Sequence, residues 1–297
     1  MSIEVTSLPD AQPRPRHVAI GTFDGVHLGH QAVIDDADTV LTFDPHPLEV
    51  LHPAALPKLI MPFSVKRDVI DGLGVRELVV IPFDAEFAKR TAEDFIEHVL
   101  VEKLTAERVS VGENFRFGAK AKGDPAMLAS HSQFETHVVP LVEVDGETVS
   151  STRIRALVAA GDMVAARHCL GAPFMVEGEV VHGDQRGREL GFPTANIVPA
   201  DGIVPPGHGV YAAFADGRPA AVNVGIRPQF QTGRGLLIEA FLIDYDGDLY
   251  GRNLRIAFIK RLRGERRFPS VEDLIAQMNR DVADAKQVCA DFAPSNQ

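Results

Sequence analysis

The 297-residue chain is 45% hydrophobic and 24% charged, which supports ordinary globular cores and gives enough length for two domains. Its 41 acidic residues against 30 basic ones leave a formal charge of -11, which excludes nucleic acid as the main partner while leaving small anions in local basic pockets open. Cys169 and Cys289 stand alone, Met1 to Arg16 holds no apolar leader, and no apolar run reaches membrane-spanning length. The chain therefore reads as cytoplasmic, without disulfide framework, structural zinc or membrane association.

From His17 to about Gly171, short apolar runs alternate with amphipathic stretches, the pattern of a doubly wound α/β parallel sheet. Strands are expected at His17 to Ile20, Thr39 to Phe43, Glu77 to Ile81, Arg108 to Val111 and His137 to Leu141. Helices are expected at Phe63 to Leu73 and, capped by Thr91, at Ala92 to Leu104. A helix pair closes this half: Ser150 or Ser151 starts one helix, Gly161 stops it, Asp162 caps the next, and Gly171 with Pro173 ends that. The boundary is placed near Ala172, giving domains 1–172 and 173–297.

Beyond it, Met175 to Phe268 alternates β-rich runs with turn clusters, among them Ala215 to Arg218 and Asp244 to Gly251, which predicts a small antiparallel β-barrel. A C-terminal helix from Ser270 should pack on the barrel through Val271, Leu274, Ile275, Met278 and Val282.

Gly21-Thr22-Phe23-Asp24-Gly25-Val26-His27-Leu28-Gly29-His30 follows a strand and opens a helix, where free backbone N–H groups favour an anion. Gly21, Gly25 and Gly29 allow close approach of a nucleotide, and His27 and His30 can face one phosphate. A metal-binding histidine pair is the rival reading, but further ligands do not stand at suitable positions. Ser151, Thr152 and Arg155 share one face of the helix from Ser150 and suit a pyrophosphate. Thr42 to Pro47, and Val111 to Gly118 with Asn114, Phe115 and Phe117, end strands at the carboxyl edge of the sheet, where α/β ligands bind.

Together these four segments resemble, in order, the N-terminal half of bacterial bifunctional riboflavin kinase/FAD synthetases. The resemblance implies a nucleotidyltransferase domain in which FMN attacks the α-phosphate of ATP, forming FAD and pyrophosphate. His27 and His30 would then stabilise phosphate charge, Ser151, Thr152 and Arg155 would hold the leaving pyrophosphate, and Asn114 with the neighbouring aromatics would place nucleotide and flavin.

In the second half, Gly178 to Asn196 is dense in glycine but lacks a Walker pattern. Gly178, Gly183, Gly187 and Gly191 could face ATP phosphates with backbone N–H groups, and Thr194 and Asn196 offer oxygens to Mg²⁺ carried with ATP; a glycine-rich barrel turn carries similar weight. Gly207 to Tyr211, Asn223 to Gly225, Asp248 to Gly251 and Arg263 to Phe268 follow in the order found in riboflavin kinases. By that resemblance Glu239 matches the general base on the ribityl 5′-hydroxyl, and Arg263 and Phe268 belong to the flavin site. Periodicity alone does not settle which way Glu239 points.

Riboflavin, FMN, ATP and FAD are thus the expected partners, with a homo-oligomer left open. An adenylyltransferase for a pantetheine or nicotinamide mononucleotide acceptor, and a flavin-binding sensor without turnover, are the alternatives. One departure stands out. Family members usually carry a first crossover longer by ~10 residues, whereas only Gln31 to Leu41 intervene between His30 and Thr42 here. Asp35, Asp36 and Asp38 are expected to oppose the dipole of the short helix, and Leu28, Ala32 and Val33 to bury little. The phosphate turn is therefore expected to be loosely held and FAD synthesis to be the more temperature-sensitive activity.

Overall fold

A computed structural model describes residues 2–182, 190–226 and 236–292. By packing, the chain divides into two units, Met1–Pro57 with Phe63–Ser151 and Lys58–Pro62 with Thr152–Gln297.

The first unit runs β1 (Glu4–Ser7), β2 (Arg16–Ile20), α1 (Leu28–Ile34), β3 (Thr39–Asp44), α2 (Pro47–Leu51), α3 (Phe63–Gly72), β4 (Glu77–Pro82) and α4 (Ala92–Asp94). A π-helical stretch, Phe95–Lys103, continues α4. There follow β5 (Ala106–Gly112), α5 (Pro125–Ala129), β6 (Glu135–Val139) and a small hairpin of β7 (Glu143–Val144) and β8 (Glu147–Thr148). Six strands form one parallel sheet in the order β1-β4-β3-β2-β5-β6. The apolar runs of its central strands become core because both faces are covered: Phe95, Ile96, Val99 and Leu100 pack on Ile20, Val79, Ile81, Val109 and Val111. Thr91 caps α4 as expected, its Oγ1 accepting from Asp94 N at 3.1 Å.

Strand β1 lies in the segment that the sequence presents as polar. It pairs parallel with β4 from the sheet edge, so only part of it needs to be apolar. At the amino edge Arg16 is 1% exposed and pairs with the buried Glu77, Nε to Oε2 at 2.7 Å. The same guanidinium donates to the Leu104 and Gln12 carbonyl oxygens. That edge is sealed, and the loops after β2, β3 and β5 leave the opposite edge.

The short crossover differs from the expectation in two ways. Helix α1 buries Val33 and Ile34 at its end, and Asp38 lies beyond the helix altogether. The Asp38 Oδ1 accepts from His17 N at 3.2 Å and Thr39 Oγ1 at 2.8 Å, and Oδ2 from Arg76 Nη2 at 3.2 Å. Its charge therefore ties the crossover to two strands instead of opposing the helix.

The second unit comprises α6 (Ser151–Ala160) from Thr152 onward, α7 (Met163–Leu170), β9 (Phe174–Val181), β10 (Ala195–Pro199), β11 (Gly209–Ala215), β12 (Arg218–Ile226), β13 (Leu236–Leu242), β14 (Asn253–Arg263) and α8 (Val271–Phe292). Asp162 caps α7 through Ala165 N, and Gly171 ends it in the left-handed region with φ 74°. The six strands close into an antiparallel barrel, order β10-β13-β12-β11-β14-β9. Asp216 and Gly217, with φ 45° and 78°, make the tight β11–β12 turn. Lys58–Pro62 joins this unit as a strap: Leu59 N donates to Gly202 O at 2.7 Å, Val204 N to Leu59 O at 2.8 Å, and Arg155 Nε to Lys58 O at 2.7 Å.

Helix α8 corrects the expected apolar face. Its seat on the barrel is made by Ala285 and Cys289, with Val282 and Val288, against Ala212, Ala221 and Ile243. Val271 is 54% exposed, and Leu274 and Met278 wall a pocket.

Candidate active sites

The loops after β2, β3 and β5 surround a cavity of about 1150 Å³ in the first unit. Gly21, Phe23, His27, Gly29, His30, Asn114, Phe115, Phe117 and Ser151 all line it, so segments far apart in the chain meet as expected. The turn before α1 is strongly bent: Phe23, Gly25 and Val26 have φ of 49°, 91° and 41°. His27 caps the helix, its Nδ1 accepting from His30 N at 3.3 Å, which leaves the ring proton of a neutral imidazole on Nε2. The two rings stack with centroids 3.6 Å apart. Glycine at 29 permits this, since a Cβ there would lie 3.2 Å from the His27 Cε1.

Burial lowers the His27 pKa from 6.5 to about 4, and burial, then His27 and Lys66, lower that of His30 well below the usual range. Both rings are neutral near pH 7, and His30 Nδ1 is buried without a hydrogen-bond partner. With no anion bound, the site thus presents neutral imidazoles, and a bound phosphate would favour their protonation. Asp24 is buried, and its carbonyl oxygen accepts from Ser151 Oγ at 2.9 Å. Thr152 and Arg155 fall in the second unit, where Arg155 is engaged by the strap. Phe115 and Phe117 stack at 5.5 Å, continuing an aromatic series through Phe95, Phe87, Phe83 and Phe43 that gives the cavity one apolar side.

In the second unit Glu239 lines a pocket of about 610 Å³ with Thr194, Phe241, Arg263, Phe268 and the α8 residues Leu274 and Met278. Glu239 stands opposite Asn196 in β10 and opposite Asn223 in β12, so one polar row crosses three strands on a single face. Asn223 Nδ2 donates to Glu239 Oε2 at 3.2 Å. Thr194 also lines an adjoining pocket of about 480 Å³ with Asn196, Tyr245, Asp248 and Tyr250.

Arg263 lines the larger pocket, but its guanidinium is committed to Asp281 of α8, Nη2 to Oδ2 at 2.7 Å and Nε to Oδ1 at 2.9 Å. It also lies over the Phe268 ring at 5.7 Å. Gly178 lies within β9, where a Cβ would run into Val198 O; close strand approach explains the glycine. Gly191 adopts φ 85°, and Gly183 and Gly187 lie outside the described residues. Sequence reasoning missed Lys66 and Asp281. Each is a charged residue at a core-facing helical position, one beside Val65 and four before Ile70, the other four before Ala285.

The FAD synthetase family matches residues 10–153 and the riboflavin kinase family residues 170–289. Proteins of Listeria monocytogenes and Escherichia coli K12, each described as a bifunctional riboflavin kinase/FMN adenylyltransferase, are 35% identical to this chain over 91% of both lengths. The chain belongs to the bifunctional riboflavin kinase/FMN adenylyltransferase family. A solved Streptococcus pneumoniae structure, described as a macrolide-efflux protein, superposes with TM-score 0.85 at 29% identity over 96% of this chain and 99% of its own. Among the described residues of this family member, no helix is long and apolar enough to cross a membrane.

Enzymes of this family use ATP, which binds with a divalent cation, and the barrel pocket holds an acceptor that fits one. Asn196 is 5% exposed, and its Oδ1 is buried without a hydrogen-bond partner, an acceptor suited to a hard cation beside Thr194. Among the described residues, no cluster of three His, Cys, Asp or Glu could hold a metal. A cation there would complete its shell with phosphate oxygens and water.

Proposed function

We propose that the barrel unit transfers the γ-phosphate of ATP to the 5′-hydroxyl of riboflavin, and that the sheet unit transfers AMP from a second ATP to the FMN so formed. The observation that carries this reading is that both constellations, the histidine pair and Glu239, line separate cavities in a chain that matches both families.

In the first reaction Glu239 takes the proton of the ribityl hydroxyl as its oxygen attacks the γ-phosphorus, and ADP leaves. Asn223 orients the carboxylate by donating to Oε2. Thr194 and Asn196 would hold Mg²⁺, which supplies neutralisation of phosphate charge when bound. Phe268, Leu274 and Met278 offer the isoalloxazine an aromatic and apolar wall, with the Arg263 guanidinium over the Phe268 ring. Gly183, Gly187 and Gly191 would cradle phosphates.

In the second reaction a phosphate oxygen of FMN attacks the α-phosphorus of ATP and pyrophosphate leaves, without a protein nucleophile. His27 and His30 donate N–H groups to the phosphates, Ser151 holds the pyrophosphate, and Asn114 with Phe115 and Phe117 places nucleotide and flavin. In chain order, residues 1–172 are assigned to adenylyl transfer and 173–297 to phosphorylation. We further propose a cytoplasmic setting, in which the buried Cys169 and Cys289 remain thiols.

The test incubates the protein with riboflavin, ATP and Mg²⁺ and separates the flavins. FMN followed by FAD is expected. Flavin retained without ATP consumption would favour a sensor, and adenylylation of a pantetheine phosphate in place of FMN would overturn the assignment of the first site.

A further inference from the structure

Lys66 has no part in either reaction as described, yet it is placed at considerable cost. It is 9% exposed on the core-facing side of α3, between Val65 and Ile70, both 0% exposed. Its Nζ donates to the carbonyl oxygen of Thr22 at 2.9 Å, and Thr42 Oγ1 donates to the same oxygen at 3.3 Å. Burial lowers the ammonium pKa, while Asp24 in the phosphate turn and Asp44 at the end of β3 pull it back up.

An ammonium removed from water is a weak device for stability, since an apolar side chain of similar length fills the space without losing hydration. What the charge adds is a fixed point linking two loops at the carboxyl edge of the sheet. One of them needs it. The turn from Gly21 to His27 contains two non-glycine residues in the left-handed region, Phe23 and Val26, a conformation that persists only where its surroundings over-determine it. Ser151 on the Asp24 carbonyl and Gln31 Nε2 on the Val26 carbonyl at 2.8 Å hold the later part of the turn, while Lys66 holds its beginning.

The geometry points to Lys66 as a positioning residue for adenylyl transfer, which from the Thr22 carbonyl fixes the turn that sets His27 and His30 against the nucleotide. The inference rests on the adenylyl-transfer reading of the first site. Lys66 acts through the turn and lines no part of the cavity.

Full-length Lys66→Met, which keeps the stem and removes the charge, and Lys66→Ala, which leaves room for an added alkylammonium ion, test it. FMN adenylylation and riboflavin phosphorylation are measured in parallel, with kcat and KM separated, and hydrogen exchange is followed over residues 16–34. The expected result is a loss of about 100-fold in kcat for FAD formation, as a displacement of ~1 Å produces, with KM for FMN and ATP within about threefold. Riboflavin phosphorylation stays unchanged, and propylammonium partly restores Lys66→Ala. FAD formation by Lys66→Met within about threefold of wild type overturns the inference. So does a loss that tracks unfolding of residues 16–34 and is not restored by propylammonium, because Lys66 is then a stability residue. A wild-type protein that forms FMN but no FAD removes the adenylyl-transfer reading and this inference together, whereas normal FAD formation by the variant removes the inference alone.

Discussion

His27 is held uncharged by its surroundings, since burial lowers its pKa to about 4 and Nδ1 already accepts the His30 amide. Because the folded pKa lies below the unfolded value of 6.5, the protein has the full benefit of this group above pH 6.5 and loses it as pH falls toward 4. At about 1.4 kcal/mol per pKa unit the loss is on the order of 3 kcal/mol, and His30 adds in the same direction. Denaturant midpoints between pH 7.5 and 4.5 should fall less steeply for His27→Asn, which keeps a capping acceptor without the titration; an unchanged slope would contradict this account. In catalysis the two sites should separate. Glu239→Gln should lower FMN formation by ~10²–10⁴-fold and spare adenylylation of supplied FMN. His27→Ala or His30→Ala should lower FAD formation by ~10²–10³-fold and spare the kinase. Kinase activity of Glu239→Gln within a few-fold of wild type would remove Glu239 from its role.

The crossover between β2 and β3 shows how a short element is made sufficient. Helix α1 has only seven residues, yet its exit is tied to the sheet by three hydrogen bonds to the Asp38 carboxylate. Asp38→Ala should therefore cost on the order of 2–3 kcal/mol of first-unit stability and raise hydrogen exchange over residues 21–40. FAD formation should become more heat-sensitive than FMN formation in this variant and not in wild type. If exchange there is unaltered, Asp38 is not the tie.

Elements of this kind were legible in the sequence where one periodicity dominated. The central strands, α3, the capped α4 and α7, and the barrel hairpin at Asp216-Gly217 all stand close to where their patterns put them. Strand β1 was not legible, because an edge strand need not look apolar. The direction of Glu239 was hidden since Ile238 and Ala240 face the barrel interior while Phe241, beyond them, faces the pocket; both faces of β13 are apolar. Lys66 and Asp281 stand at core-facing positions of amphipathic helices, but a charge there is no sign of burial until its partner, the Thr22 carbonyl or the Arg263 guanidinium, is known.

At the scale of the whole molecule, the chain order of the two activities and the packing of the two units do not coincide. The family matches end and begin at residues 153 and 170, while packing places α7, and α6 from Thr152, with the barrel. The strap at Lys58–Pro62 makes the mismatch deeper, because five residues encoded amid the adenylyl-transfer segment complete the fold of the other unit. A single cut in the gene before Thr152 consequently leaves those five residues on the other fragment. A fragment starting at Thr152 lacks the partners of Gly202 O, Val204 N and Arg155 Nε, three hydrogen bonds of about 1 kcal/mol each. It should melt well below the intact protein, and a synthetic peptide spanning residues 56–63 should raise its midpoint in a dose-dependent way. A fragment as stable as the parent, indifferent to the peptide, would mean the strap is a passenger. Otherwise a kinase gene that had shed its partner would have to replace those five residues before it could stand alone.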